Sequence, residues 1–214
     1  MKKDFTYIAV VLDRSGSMSF VTKATIDGFN EFLKGQKATP GTAKLTLVQF
    51  DHEIETVVNN QDIAAVEPLT DLTYVPRGST ALLDAIGKTM DGVGDILAGM
   101  VEADRPDKVV FVIITDGEEN ASHKFSRQQI FDKISHQRDV YKWDFMFLGA
   151  NQDAIQAGNS IGINSVNSST YHSTVRGSSA TFNMVSAKLM DYRTLGKDRL
   201  GFTPAEQQTL ASTK

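Results

Sequence analysis

Asp13, Ser15 and Ser17 alternate in D-x-S-x-S spacing inside the stretch AVVLDRSGSMSF, directly after an apolar run. A carboxylate and two hydroxyls at every second position set hard oxygen donors side by side, and Gly16 between the serines frees the turn that aims them. Two further segments carry donors of the same kind beside a glycine. Thr80 lies in RGSTALLDAI, and Asp116 precedes Gly117 in VVFVIITDGEEN. Two carboxylates and three hydroxyls, with neither Cys nor His among them, suit Mg²⁺, Mn²⁺ or Ca²⁺ better than zinc or copper. Mg²⁺ takes few carboxylates and keeps several waters, so such a set leaves a position open to an acidic residue from another protein. Taken one at a time, these residues need no metal: Asp and Ser after a strand make turns or caps, Thr80 can cap a helix, and Asp116 can sit in a turn. Their joint placement favours the cation.

The elements that must position them alternate. FTYIAVVL (5–12) and KVVFVIITD (108–116) are nearly unbroken apolar runs, as expected of central strands covered on both faces. KLTLVQF (44–50) and EIETVV (53–58), separated only by Asp51 and His52, predict a hairpin with an antiparallel edge strand. KWDFMFLGA (142–150) adds a buried strand and INSV (163–166) a short last one. Helical spacing is present over 20–34, 80–99, 152–161 and 179–194, with Gly87, Gly92 and Gly94 weakening the second of these. Ser126 and Gln129 make a capping-box pattern for a helix running to Tyr141, with Phe125 and Ile130 as its staple. Thr203, Pro204 and Glu206 start a final short helix. Strands alternating with helices imply a mainly parallel, doubly wound α/β sheet, whose ligands bind beyond the carboxyl ends of the strands. The polar segment 164–181 reads as a loop or a partner-binding excursion.

The chain has 214 residues, 41% of them hydrophobic and 22% charged, which fits one substantial globular domain. Twenty-two basic against 26 acidic residues give a formal charge of −4, no electrostatic footprint for nucleic acid or an anionic membrane. There is no cysteine, so disulfides, thiolate-bound zinc and thiol nucleophiles are excluded. MKKDFTYIAVVLD imitates a basic and then apolar leader, but Asp4 and Asp13 bound a short run and no small-residue cleavage site follows. The expected setting is a reducing, cytoplasmic one.

In order and setting, the D-x-S-x-S after the first strand, the Thr of GST and the Asp of TDG resemble the metal-ion-dependent adhesion site of von Willebrand factor A domains. The resemblance spans about residues 5–195, leaving 196–214 as an extension with a short helix. It implies a Rossmann-like, six-stranded, mainly parallel sheet with one antiparallel edge strand, helices on both faces and a cation at its top. It also implies roles: Ser15 and Ser17 as direct ligands, Thr80 and Asp116 as direct or water-mediated ones, and Asp13 as a water-mediated or hydroxyl-orienting carboxylate. An Asp or Glu of a protein partner completes the octahedron. Stand-alone intracellular domains of that family, in bacteria and phages, are of similar size; some act with AAA-type ATPases or in stress-response clusters such as tellurite resistance.

The remaining polar residues are read as structural. Arg14 and Met18 are expected at the rim, Arg14 as a solvated charge. Glu118, Glu119 and Asn120 are expected on a solvated face outside the metal shell. His52 belongs to the hairpin turn, and His123, His136 and His172 lack metal-ligand spacing. Trp143 is a packing residue, and Gly149 and Asn151 mark a strand exit and helix cap. A metal-dependent binding module is therefore the expected function and an assembly scaffold the alternative. A hydrolase ranks last, because the sequence has no G-x-x-x-x-G-K loop, no G-x-S-x-G elbow and no His near the site.

Overall fold

The computed structural model describes residues 1–150 and 153–214. Six strands form one sheet in the order β3-β2-β1-β4-β5-β6. They are β1 (Lys2–Asp13), β2 (Thr42–Phe50), β3 (Ile54–Asp62), β4 (Pro106–Thr115), β5 (Asp144–Ala150) and β6 (Ser168–Tyr171). Only the β2–β3 hairpin is antiparallel; the other four pairings are parallel. The helices are α1 (Thr22–Ala38), α2 (Leu82–Ala98), α3 (Arg127–Tyr141), α4 (Ala154–Ser160), α5 (Val175–Thr194) and α6 (Pro204–Ser212).

The central strands read as continuous apolar runs because successive side chains point to opposite faces and both faces are covered. On β1, Ile8, Val10 and Leu12 join Phe29 and Leu33 of α1 and Phe182, Val185 and Leu189 of α5 in one buried layer. Tyr7, Ala9 and Val11 face the other way, into a second layer with Ile86 and Met90 of α2 and Ile130 and Ile134 of α3. Leu200, Phe202 and Leu210 belong to the first layer. β1 and β4 thereby lie at the centre, and Asp13 and Asp116 emerge beside one another at their carboxyl ends.

Gly28 lets α1 approach α5 closely: a methyl group there would lie 2.8 Å from Cγ of Phe182. Gly28→Ala is therefore expected to destabilise the fold by about 1–3 kcal/mol, overpacking outweighing the gain in helix propensity. Urea unfolding checks this, and an unchanged or raised midpoint would show that the two helices are not so tightly seated.

Both capping boxes form: Ser126 accepts from the Gln129 amide and Thr203 from the Glu206 amide, and the Gln129 and Glu206 side chains accept the Ser126 and Thr203 amides in return. α2 is continuous despite its glycines, and Gly87 accommodates the ring of Phe125. The last strand differs from expectation. Residues 163–166 lead into a 3-10 turn over Ser165–Asn167, and the strand is Ser168–Tyr171. The segment 164–181 is thus no loop: it holds β6 and the first turns of α5, whose N-cap Thr174 accepts from the Gly177 amide at 3.0 Å. Its buried serines and threonines misled the reading. Ser168 lies against Gly158, where any larger side chain would collide, and Thr181 returns its hydroxyl to the Gly177 carbonyl at 2.9 Å. Asn151 lies outside the described residues.

Candidate metal centre

The ends of β1 and β4 bring the two carboxylates together, and loops from three other parts of the chain close around them. Asp13 is fully buried. Its Oδ1 accepts the Ser15 amide at 2.6 Å and its Oδ2 accepts the Thr115 hydroxyl at 2.5 Å. With both oxygens committed to neighbours, Asp13 orients the turn that carries the serines. Ser15 Oγ lies 3.1 Å from Ser17 Oγ, and Ser17 Oγ donates to Asp116 Oδ1 at 2.5 Å. Asp116 Oδ2 accepts from Ser173 Oγ at 3.0 Å. Thr80 comes from the long connection before α2. A methyl group on Gly117 would sit 3.4 Å from Thr80 Oγ1 and 3.7 Å from Ser17 Oγ, so Thr80 lies beside the end of β4 on the same side as the Ser17–Asp116 pair.

Backbone hydrogen bonds hold this convergence. Gly16 N donates to Gly78 O at 3.1 Å, and Arg77 N to Arg14 O at 2.8 Å. Gly78 has φ +66° and backs directly onto His52, a conformation and a proximity that exclude a side chain. Tyr74, wholly buried, donates its hydroxyl to Asp13 O at 2.6 Å, and Tyr171 donates to Thr115 O at 3.3 Å. Thr80 N donates to Asn120 Oδ1 at 2.9 Å, while the amides of Asn120 and Ala121 return to Thr80 O. Glu119 accepts the Leu83 amide of the first turn of α2 at 2.9 Å, together with the Ala121 and Ser122 amides. Glu119, half-buried, therefore holds the first turn of α2, and Asn120 fixes Thr80 while remaining exposed; Glu118 is exposed as expected and lines a cleft of about 330 Å³ with Glu119, Arg127 and Asp153.

Arg14 is not a solvated rim charge. It is 6% exposed, with Nε 3.0 Å from the buried Asp51 Oδ2 and Nη1 2.6 Å from Glu55. Arg77 Nε shares Asp51 Oδ2 at 2.9 Å. Burial alone would raise the pKa of Asp51, but the bonds from Arg77 and the Glu53 amide and the two guanidinium charges hold it below the usual carboxylate range. Met18 is likewise buried, in the first core layer, instead of lying at the rim. The alternation that sends Asp13 and Ser15 inward sends Arg14 to the hairpin.

The electrostatics follow. The ion pairs among the described residues give neither Asp13 nor Asp116 a cationic partner. Burial raises the Asp13 pKa to about 6; hydrogen bonds from Thr115 and Ser15 oppose the rise and the charge of Asp116 adds to it. No cluster of three or more His, Cys, Asp or Glu among the described residues could hold a metal ion, so any cation here depends on hydroxyl ligands. The donor set fits one. Adjacent ligands of an octahedral Mg²⁺ with bonds near 2.1 Å stand about 3.0 Å apart, close to the observed separation of the serine hydroxyls. Ser17 gives its proton to Asp116 and keeps oxygen lone pairs for a cation. Ser173, Thr115 and Tyr74 had no readable signal in the sequence, since each reaches the site from a segment whose placement only the fold determines.

Searches with the sequence find no matching family model and no curated protein with a significant match. Solved structures do match. Proximal thread matrix protein 1 of the mussel byssus, with a zinc-occupied metal-ion-dependent adhesion motif, superposes with a TM-score of 0.60 at 16% identity over 84% of this chain. The von Willebrand factor domain of the pilus tip protein Mfa5 of Porphyromonas gingivalis gives 0.56 at 11% identity, covering 86% of this chain and 94% of the other. The fold is that of von Willebrand factor A domains. A further A-domain protein, from Catenulispora acidiphila, gives 0.55 at 12% identity over 88% of this chain. This chain spans about half the length of the mussel protein, 46% of it.

Proposed function

We propose that this chain is a metal-dependent protein-binding module, in which a divalent cation at the top of the sheet receives a carboxylate from a protein partner. The observation that carries the reading is the pair Asp13 and Asp116. Both are buried without a cationic partner among the described residues, beside two serine hydroxyls at the spacing of adjacent cation ligands. Ser15 and Ser17 are the direct ligands, Thr80 and Asp116 bind directly or through water, and Asp13 holds the serine turn. When bound, the cation supplies a hard Lewis-acid position that two carboxylates leave electrophilic toward a third. Ser173 keeps Asp116 Oδ2 engaged, so that Oδ1 stays with Ser17. Mg²⁺ is the first expectation, with Mn²⁺ or Ca²⁺ as substitutes; the zinc in the mussel relative supports the same position on this fold. The chain acts by binding, without turnover.

Calorimetric titration of Mn²⁺ tests the reading. The wild type is expected to show a single site that competes with Mg²⁺, and Ser15→Ala/Ser17→Ala to weaken it at least ~100-fold, since both direct hydroxyl ligands are gone. Equal affinity in the two proteins would sink the metal assignment.

A further inference from the structure

Four large apolar residues stand exposed on segments that are each anchored at the centre. Phe20 is 89% exposed and follows Ser17 by three residues. Leu72 is 91% exposed and Val75 51%, on either side of the buried Tyr74 that donates to Asp13 O. Val175, 61% exposed, follows by two residues the Ser173 that donates to Asp116. Single exposed apolar side chains are ordinary, but these four stand on three segments whose neighbouring residues Ser17, Tyr74 and Ser173 all bond to one polar centre.

Their exposure is enforced by the local structure. Phe20 lies in a 3-10 turn, Gly16–Val21, whose Met18 and Val21 are buried, so the turn that seats those two holds Phe20 outward. The 69–75 loop is fastened by Asn30 to both the amide and the carbonyl of Leu69, by Gln49 to Thr73 O at 3.0 Å, and by the Thr70–Thr73 turn. Val175 opens a helix whose first turn is capped by Thr174. Rearrangement cannot bury these side chains without breaking those bonds.

Resting on the proposed cation, we infer that Phe20, Leu72, Val75 and Val175 form an apolar collar around the metal centre, and that the partner is a protein segment bearing an Asp or Glu between large apolar side chains. The complementarity is specific. A lone carboxylate on a wetted cation gains little over its own hydration, whereas apolar contacts around the pair exclude water and strengthen the charge interaction. The collar also accounts for selectivity against free carboxylates, which offer the charge and nothing for the rim.

The test is selection of displayed random peptides on the intact protein in Mn²⁺, with elution by EDTA. The expected result is recovery of peptides in which Asp or Glu is flanked within two residues by Leu, Ile, Phe or Trp. A synthetic peptide of that sequence should bind Phe20→Ser/Leu72→Ser at least about tenfold more weakly, with Mn²⁺ affinity unchanged. Both positions are exposed, so the fold should tolerate the change, and circular dichroism verifies it. Acidic peptides with polar flanks, an unchanged peptide affinity in the variant, or no EDTA-eluted peptide from a protein that binds Mn²⁺ overturns the collar and leaves the metal reading standing. A dimer in the wild type that Phe20→Ser/Leu72→Ser converts to monomer also overturns it, assigning the surface to a second copy. Failure of Mn²⁺ to bind overturns the metal reading itself.

Discussion

Asp13→Asn is expected to stabilise the metal-free protein at neutral pH while weakening its response to divalent cations, because one of the two carboxylate charges at the site is gone. In the folded chain the Asp13 pKa is raised from 3.8 to about 6. Between those values the folded state holds a proton that the unfolded state has released, so this carboxyl group makes stability fall as pH rises. The loss starts near pH 4 and is complete above pH 6. Two units correspond to about 3 kcal/mol, the upper bound on what removing the charge returns. Asparagine can keep the contacts. Its Oδ1 still accepts the Ser15 amide, and its Nδ2 can donate to Thr115 Oγ1, whose proton then turns to Gly117 O, 3.1 Å away. Asp51 and Asp84, whose pKa values are lowered, work in the opposite sense by losing stability as pH falls, so the wild-type-minus-variant difference is the quantity to measure. Urea unfolding in EDTA should give a difference near zero at pH 4 that grows in the variant's favour by pH 7.5. Mn²⁺ at about 100 times its wild-type Kd should then stabilise the wild type by about 2.7 kcal/mol and the variant by clearly less. A variant less stable than wild type at pH 7.5, or one that Mn²⁺ stabilises as much as the wild type, would contradict the account.

The same physics explains which parts were legible in the sequence. β1 and β4 were readable because burial on both faces demands unbroken apolar residues, and the hairpin because only two residues separate its runs. The position of Asp13, Ser15, Ser17, Thr80 and Asp116 at one end of the sheet, as distinct from their proposed role as ligands, was readable because strand ends in such a sheet point to one crevice. β6 was not. Its residues are SSTY, and its strand register comes from pairing with Phe147–Ala150 of β5 and from the close approach of Gly158, neither of which leaves a hydrophobic signature. Arg14 and Met18 were misplaced for a related reason. Surface is the ordinary place for arginine, and only the hairpin, 37 residues away, supplies the buried carboxylate that draws it inward. Ser173, 57 residues from Asp116, was invisible on the same grounds.

Asp51→Ala is expected to be the most damaging substitution near the centre, costing about 3–5 kcal/mol, because it leaves Arg14 as a buried charge with a single remaining carboxylate. Asp51 Oδ2 takes both Arg14 Nε and Arg77 Nε, and its Oδ1 takes the Glu53 amide at 2.6 Å. Arg14 Nη2 already lacks a hydrogen-bond partner, so the loss of Asp51 adds a second orphaned donor on the same guanidinium. Arg77 provides the contrast. Its side chain is half exposed, and Arg77→Ala should cost far less than Asp51→Ala. The consequence reaches the cation site through the backbone, since Arg14 N donates to Phe50 O and Arg77 N to Arg14 O, and both bonds seat the turn between Asp13 and Ser15. Cation affinity in Asp51→Ala should therefore fall even though no proposed ligand has been touched. Replacing both charges together, Arg14→Met with Asp51→Leu, should recover much of the stability, because the damage lies in the uncompensated charge rather than in the lost pair. Denaturant unfolding of the two single variants and the double variant forms the cycle; additive costs would mean that Arg14 and Asp51 do not depend on each other. The pairing keeps both arginines on the hairpin side of the turn, and it is this diversion of nearby positive charge that leaves Asp13 and Asp116 without a cationic partner among the described residues and open to the proposed cation.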